Sequence, residues 1–144
     1  MQKLKRAGLT EVIPGLTQPV LGICLGMHLL AERSEEDDAE CLGILPAPAL
    51  KLRASPDLPV PNIGWCRVTK VADHPLFHGI DSDSYFYFVH SYAIPVADFT
   101  VATAAHASAI TAASSSRNFV ATQFHPERSA TAGARLLANF LAMR

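Results

Sequence analysis

An α/β fold, an open sheet with helices packed against it, follows from three features of the sequence. A short apolar run without polar alternation, residues 19–24 (PVLGIC), passes directly into a segment whose apolar residues recur at helical spacing, residues 25–31. Strand-like segments then crowd the middle and later parts of the chain. An amphipathic helix closes it, with Ala132, Leu136, Leu137, Phe140 and Leu141 on one stripe and Ser129 as its N-cap. The 144 residues suffice for one domain and are short for two, and no internal repeat is visible.

From the N-terminus, Leu4, Leu9, Val12, Ile13 and Leu16 fall loosely at helical spacing until Pro14 and Gly15 end the pattern, so the chain begins inside a helix. A turn-prone Thr-Gln-Pro precedes the strand at 19–24, which is expected to be fully buried. Leu25, Met27, Leu29, Leu30 and Ala31 give the next helix its apolar face. The acidic run after it (Glu35, Glu36, Asp37, Asp38, Glu40) reads as a solvated loop, with a cation site as the sharper alternative. Pro46, Pro48, Pro56, Pro59 and Pro61 forbid a long helix across residues 44–62 and predict a surface loop. Residues 65–71 and 85–92 (YFYFVHSY) read as strands, the second being the strongest strand signal, with a one-turn element, DHPLFHGI, between them. Residues 99–104, 110–113 and 118–124 read as three more short strands, and the Ala/Ser-rich stretch 102–116 as weak strands and turns rather than a linker.

With 49% apolar and 17% charged residues, the chain can fill a core and is no disordered segment. A formal net charge of -1 supplies no field for gathering nucleic acid or anionic membrane. No apolar run approaches the roughly 18 residues of a membrane span. Cys24, Cys41 and Cys66 are an odd set without CxxC spacing, which suits neither a disulfide scaffold nor a zinc clip and points to a reducing, cytoplasmic setting.

Two segments carry chemistry. Gly22-Ile23-Cys24-Leu25-Gly26 puts a thiol between glycines at a strand-to-helix junction, the layout of a nucleophile elbow. So tight a turn strains the nucleophile's backbone and requires small neighbours two residues either side. The following helix points N–H groups at the sulfur, which predicts a lowered thiol pKa, and the Leu25 N–H would face the oxyanion of an attacked carbonyl. In Gln123-Phe124-His125-Pro126-Glu127-Arg128, Pro126 holds His125 extended, so His125 and Glu127 point to the same side and can pair as imidazole and carboxylate. Spacing alone leaves two classes open: an α/β-hydrolase with a cysteine nucleophile, for which Asp73 and Asp98 are available acids, or a thiol amidase in which Glu follows His. Other histidines signal less. His74 and His78 could share one helix face around a metal, but no third ligand is near and no metal is expected. His90 reads as a core or interface residue and His106 has no evident partner.

The GxCxG elbow and the C-terminal FHPE resemble the class I (triad) glutamine amidotransferases. Pro61-Asn62-Ile63-Gly64-Trp65, Tyr87-Phe88-Val89-His90-Ser91-Tyr92 and the QFHPERS-to-NFL tail are similar to the branch formed by the glutaminase subunits of imidazole glycerol phosphate synthase. The resemblance runs through nearly the whole chain. It implies a flavodoxin-like open sheet with flanking helices and a Cys24, His125, Glu127 triad that cleaves the side-chain amide of glutamine, through a thioester, to glutamate and ammonia, with no cofactor. It also implies a partner, the cyclase subunit of that synthase, a (β/α)8 barrel that takes the ammonia in histidine biosynthesis. Leu25, Gly26, His28, Ser91 and Tyr92 would serve the oxyanion and the substrate. Trp65 and Arg128 would face the cyclase, although Trp65 reads equally as a core anchor.

The sequence departs from the family pattern at His28, where glutamine is frequent, and at Cys66, where asparagine is usual. Relative to the family, residues 1–144 are expected to be one partial domain lacking the N-terminal central strands and a PGxG loop whose N–H completes the oxyanion hole, and to be nearly inactive alone. The alternatives are a non-catalytic module that only docks on the cyclase, or the glutaminase of another amidotransferase.

Overall fold

The computed structural model describes residues 1–143. The opening helical stretch is broken into α1 (Gln2–Arg6) and α2 (Leu9–Val12), because Gly8 adopts a left-handed conformation between them, φ 69°. A 3₁₀ turn at Ile13–Gly15 then leads to β1 (Val20–Ile23), followed at once by α3 (Leu25–Leu30). The acidic run is the tip of a small ribbon formed by β2 (Arg33–Ser34) and β3 (Ala39–Glu40). The proline-rich stretch is irregular apart from β4 (Leu50–Lys51). The next strands are β5 (Asn62–Arg67), β6 (Thr69–Lys70), β7 (Tyr85–His90) and β8 (Tyr92–Ala93), with the expected single turn at Pro75–Phe77. A long hairpin, β9 (Thr100–His106) and β10 (Ser108–Ser116), precedes β11 (Phe119–Thr122), and α4 (Ala130–Ala142) closes the chain.

The main sheet has the order β1-β11-β10-β9-β6; β1 and β11 run parallel and the remaining pairs antiparallel. A second layer is the antiparallel ribbon β5–β7. Alternation along β11 divides the core. Val120 packs with Phe86, Phe88, Phe124 and Leu136 on one side, and Phe119 and Ala121 pack with Met27, Leu30, Leu45 and Ile94 on the other.

Three expectations are corrected. The 102–116 stretch forms long strands whose pairing shifts register between Thr111 and Ser114: Ala112, Ala113 and Ser114 are fully buried, and small side chains suit a strand covered on both faces. Strand β1 is fully buried only at Gly22, because among the described residues it pairs on one side alone. Ser129 does precede α4, but its hydroxyl does not cap the helix. It donates to the His125 carbonyl at 2.6 Å and accepts the Tyr87 N–H at 3.0 Å. Together with the His125 N–H to Tyr87 carbonyl bond at 2.9 Å, this fixes the His125 backbone to β7.

Candidate active site

Parallel pairing of β1 with β11 brings two chemistry-bearing strand ends to one edge. Cys24 follows β1 and its N–H donates to the Thr122 carbonyl at the end of β11, 2.7 Å away. Its backbone is forced to φ 49°, ψ −103°, the strained left-handed geometry expected of an elbow. Only one of the two glycines is sterically required. A Cβ on Gly22 would lie 2.9 Å from the Gly26 backbone, so strand and helix could not approach, whereas a Cβ on Gly26 would meet nothing within 4 Å.

Beyond β11, His125 is extended at φ −99° and Glu127 lies in the short turn that follows, as Pro126 requires. The His125 Nδ1–H donates to Glu127 Oε1 at 2.6 Å, which leaves Nε2 as the acceptor nitrogen. That Nε2 is buried and has no hydrogen-bond partner among the described residues. The Cys24 thiol does not bond to it here; it donates to the Val89 carbonyl at 3.7 Å, on the ribbon strand β7. Gln123 Nε2 lies 3.9 Å from the same sulfur.

The expectation of a lowered thiol pKa is overturned. Burial pushes the Cys24 thiol up from its ordinary value, and the nearby Glu127 carboxylate adds to this. The Leu25 N–H and the Gln123 amide favour the thiolate, but desolvation outweighs them. A six-residue helix supplies too little opposing field.

A cleft of about 310 Å³ opens beside the sulfur, lined by Cys24, Leu25, His28, Glu36, His90 and Tyr92 among others. Its size suits a small ligand. Ser91 also borders it, so Leu25, His28, Ser91 and Tyr92 share one cleft; Gly26 is not among its lining residues. His28 is buried and pairs with Gln123 Oε1 through Nε2 at 2.8 Å; burial lowers its pKa, keeping it neutral. His90 is also neutral: burial pushes its pKa down to about 4, and its Nδ1–H donates to the Tyr92 carbonyl at 2.8 Å while Nε2 accepts from Asn62 at 3.1 Å. Asn62 also lies 3.6 Å from Cys66 Sγ, which places that departure from the family pattern one contact behind His90.

Sequence reasoning missed Gln123, Glu36 and Ser129. Gln123 was legible in principle, since positions 123 and 125 alternate to the same side of an extended chain. Glu36 looked like one member of a solvated run; it is exposed, yet its backbone N–H is held by Ser34 Oγ at 3.1 Å and the residue lines the cleft. Trp65 is not a core anchor. It is 52% exposed on the ribbon and packs edge-on against Tyr87, whose other contact is the Arg128 guanidinium, 4.5 Å from the ring centroid. His74 is committed elsewhere: Nδ1 accepts the Leu76 N–H and Nε2 bonds to Ser115. No helix among the described residues is long and apolar enough to cross a membrane.

An elbow cysteine and a His-Glu pair at adjacent strand ends have the layout that a thiol amidase requires, and comparison gives the family. The family model "Glutamine amidotransferase class-I" matches residues 5–143, and the chain belongs to that family. Among its relatives, imidazole glycerol phosphate synthase subunit HisH of Photorhabdus laumondii is 48% identical over 99% of this chain and 74% of the relative's length. The subunit of the same name from Pectobacterium atrosepticum is 50% identical over 99% and 73%. Among solved structures, a glutamine amidotransferase from Thermotoga maritima superposes with a TM-score of 0.65 at 24% identity, over 96% of this chain and 54% of that one, a likeness of fold.

Proposed function

We propose that the chain is the glutaminase of an imidazole glycerol phosphate synthase, hydrolysing glutamine to glutamate and ammonia in histidine biosynthesis. The observation that carries this reading is the strained Cys24 elbow set beside a His125–Glu127 pair whose Nε2 is buried and unpartnered. Cys24 leaves its weak bond to Val89 and passes its proton to His125 Nε2, while Glu127 steadies the imidazolium through Nδ1. The sulfur attacks the carboxamide carbon, and the Leu25 N–H stabilises the oxyanion. His125 returns the proton to the departing nitrogen, releasing ammonia and leaving a thioester. Water, deprotonated by His125, then cleaves the thioester to glutamate and restores the thiol. In the cleft, Glu36 is the charged lining residue and meets the α-ammonium group, and Ser91 and Tyr92 border the substrate.

Ammonia is mostly protonated in neutral water and loses its nucleophilicity, so it passes directly to the cyclase subunit. Exposed Trp65 meets half-buried Tyr87 edge-on on the ribbon that carries the Val89 and His90 wall of the cleft, Arg128 from the turn after β11 lies over the Tyr87 ring, and this cluster is the docking face.

The test is labelling by an electrophilic glutamine analogue, followed by mass spectrometry. Saturable modification of Cys24, suppressed by glutamine and sharply slowed by Glu127→Gln, is the expected result. Modification of Cys41 and Cys66 as fast as Cys24, with no protection by glutamine, would leave a docking module and end the glutaminase reading.

A further inference from the structure

Between the thiol and the core lies a polar pair that the reaction as written does not use. Gln123 is fully buried, with Nε2 3.9 Å from Cys24 Sγ and Oε1 2.8 Å from His28 Nε2; His28 is 5% exposed. We propose that Gln123 donates an amide N–H to the Cys24 thiolate, and that His28 is the positioning residue that keeps the amide turned that way. This rests on Cys24 being the nucleophile.

The argument turns on which ends can donate. A primary amide has one end that only accepts and one that only donates. If it were reversed, Gln123 would aim a carbonyl oxygen at the sulfur, a repulsive contact once the thiol ionises. His28 Nε2 selects between the two orientations. With its proton on Nε2 the ring donates to Oε1, and in that tautomer a flipped amide would leave two buried donors face to face; reversal therefore requires the ring to move its proton to Nδ1 as well. Burial keeps His28 neutral, so no ionic pair has to be desolvated to hold the amide.

Gln123 and Val89 then divide the sulfur's two states between them. The neutral thiol has the Val89 carbonyl as acceptor at 3.7 Å, a contact that turns repulsive on ionisation. The thiolate has the Gln123 amide and the Leu25 N–H as donors, the two hydrogen bonds that oppose burial at this thiol. Thiolate character builds before attack and again when the thioester breaks, so the amide serves both steps.

The experiment measures the rate of Cys24 alkylation by iodoacetamide against pH, with Cys41 and Cys66 in the same chain as internal references. His28→Leu removes the donor, and His28→Gln keeps one. Gln123→Met preserves volume and removes the amide. For His28→Leu and Gln123→Met the Cys24 profile should move up by about one pH unit, so that alkylation at pH 7 slows about tenfold. The His28→Gln profile should lie within about twofold of the parent, since a side-chain amide can also donate to Oε1. Cys41 and Cys66 rates should be unchanged in all three; a rise in both would report loosening of the fold, and the Gln123→Met profile then decides. The proposal is overturned if Gln123→Met alkylates as the parent does, or if His28→Gln shifts as far as His28→Leu. The readout needs no glutamine turnover: a chain whose Cys24 alkylates as expected here but is not protected by glutamine from the electrophilic glutamine analogue would sink the proposed function and leave this inference standing.

Discussion

His90 makes the protein acid-sensitive, and the size of the effect follows from its surroundings. The ring is 5% exposed, donates from Nδ1 to the Tyr92 carbonyl and accepts at Nε2 from Asn62, so it can take a second proton only by breaking the Asn62 bond and burying a charge. Its native pKa of about 4 compares with 6.5 in the unfolded chain. The folded pKa is depressed and the base is neutral, so the stabilisation is fully present above pH 6.5. It is lost as pH falls toward 4, because the unfolded chain binds the proton first. Between pH 7.5 and 5 this one site removes about 2 kcal/mol, approaching the limiting slope of 1.36 kcal/mol per pH unit. The measurement is urea unfolding of the parent and of His90→Gln at both pH values. Depressed histidines common to both chains, His28 and His74, cancel in the comparison. The parent should lose about 2 kcal/mol more than the variant on acidification. Equal losses in the two proteins would show that His90 is not held neutral by its burial.

The two elbow glycines should separate cleanly. Gly22→Ala drives a Cβ into the Gly26 backbone at 2.9 Å and should cost about 2 kcal/mol or more, whereas Gly26→Ala, with open space around it, should unfold in urea within about 0.5 kcal/mol of the parent. Trp65→Ala, at an exposed position, should leave the melting temperature nearly unchanged while weakening binding to purified cyclase about 30-fold by titration. A buried-anchor role for Trp65 would reverse that pattern.

Much of the site was legible because its two motifs are local. The elbow needs only five consecutive residues, and His125 and Glu127 stand two apart in sequence, although a 3₁₀ turn at Pro126–Arg128, not extended alternation, brings their side chains together. Less legible was whatever depends on the other side of a contact. Small side chains in β10 looked like weak strands until the sheet was seen to be covered on both faces. Ser129 looked like a helix cap because sequence cannot reveal that Tyr87 and the His125 carbonyl compete for its hydroxyl. The direction of the Cys24 pKa was misjudged for the same reason: the helix that favours the thiolate is visible in sequence, and the burial that outweighs it is not.

The topology explains how residues about a hundred positions apart become a site. Within the main sheet, β1 and β11 are the parallel pair, and parallel strands end on the same edge. Had β11 run antiparallel to β1, as it does to β10, the chain following it would leave from the opposite edge, and Cys24 and His125 would lie a strand length apart. The antiparallel hairpin β9–β10 makes the parallel arrangement possible by returning the chain so that β11 can run alongside β1. The ribbon β5–β7 then closes the edge from above. The Val89 carbonyl takes the resting thiol, the Tyr87 backbone fixes His125, and the face of the same strands turned away from Phe86 and Phe88 carries Trp65 outward beside the Tyr87 ring. One two-stranded element therefore touches the Cys24 thiol, the His125 backbone and the proposed docking surface.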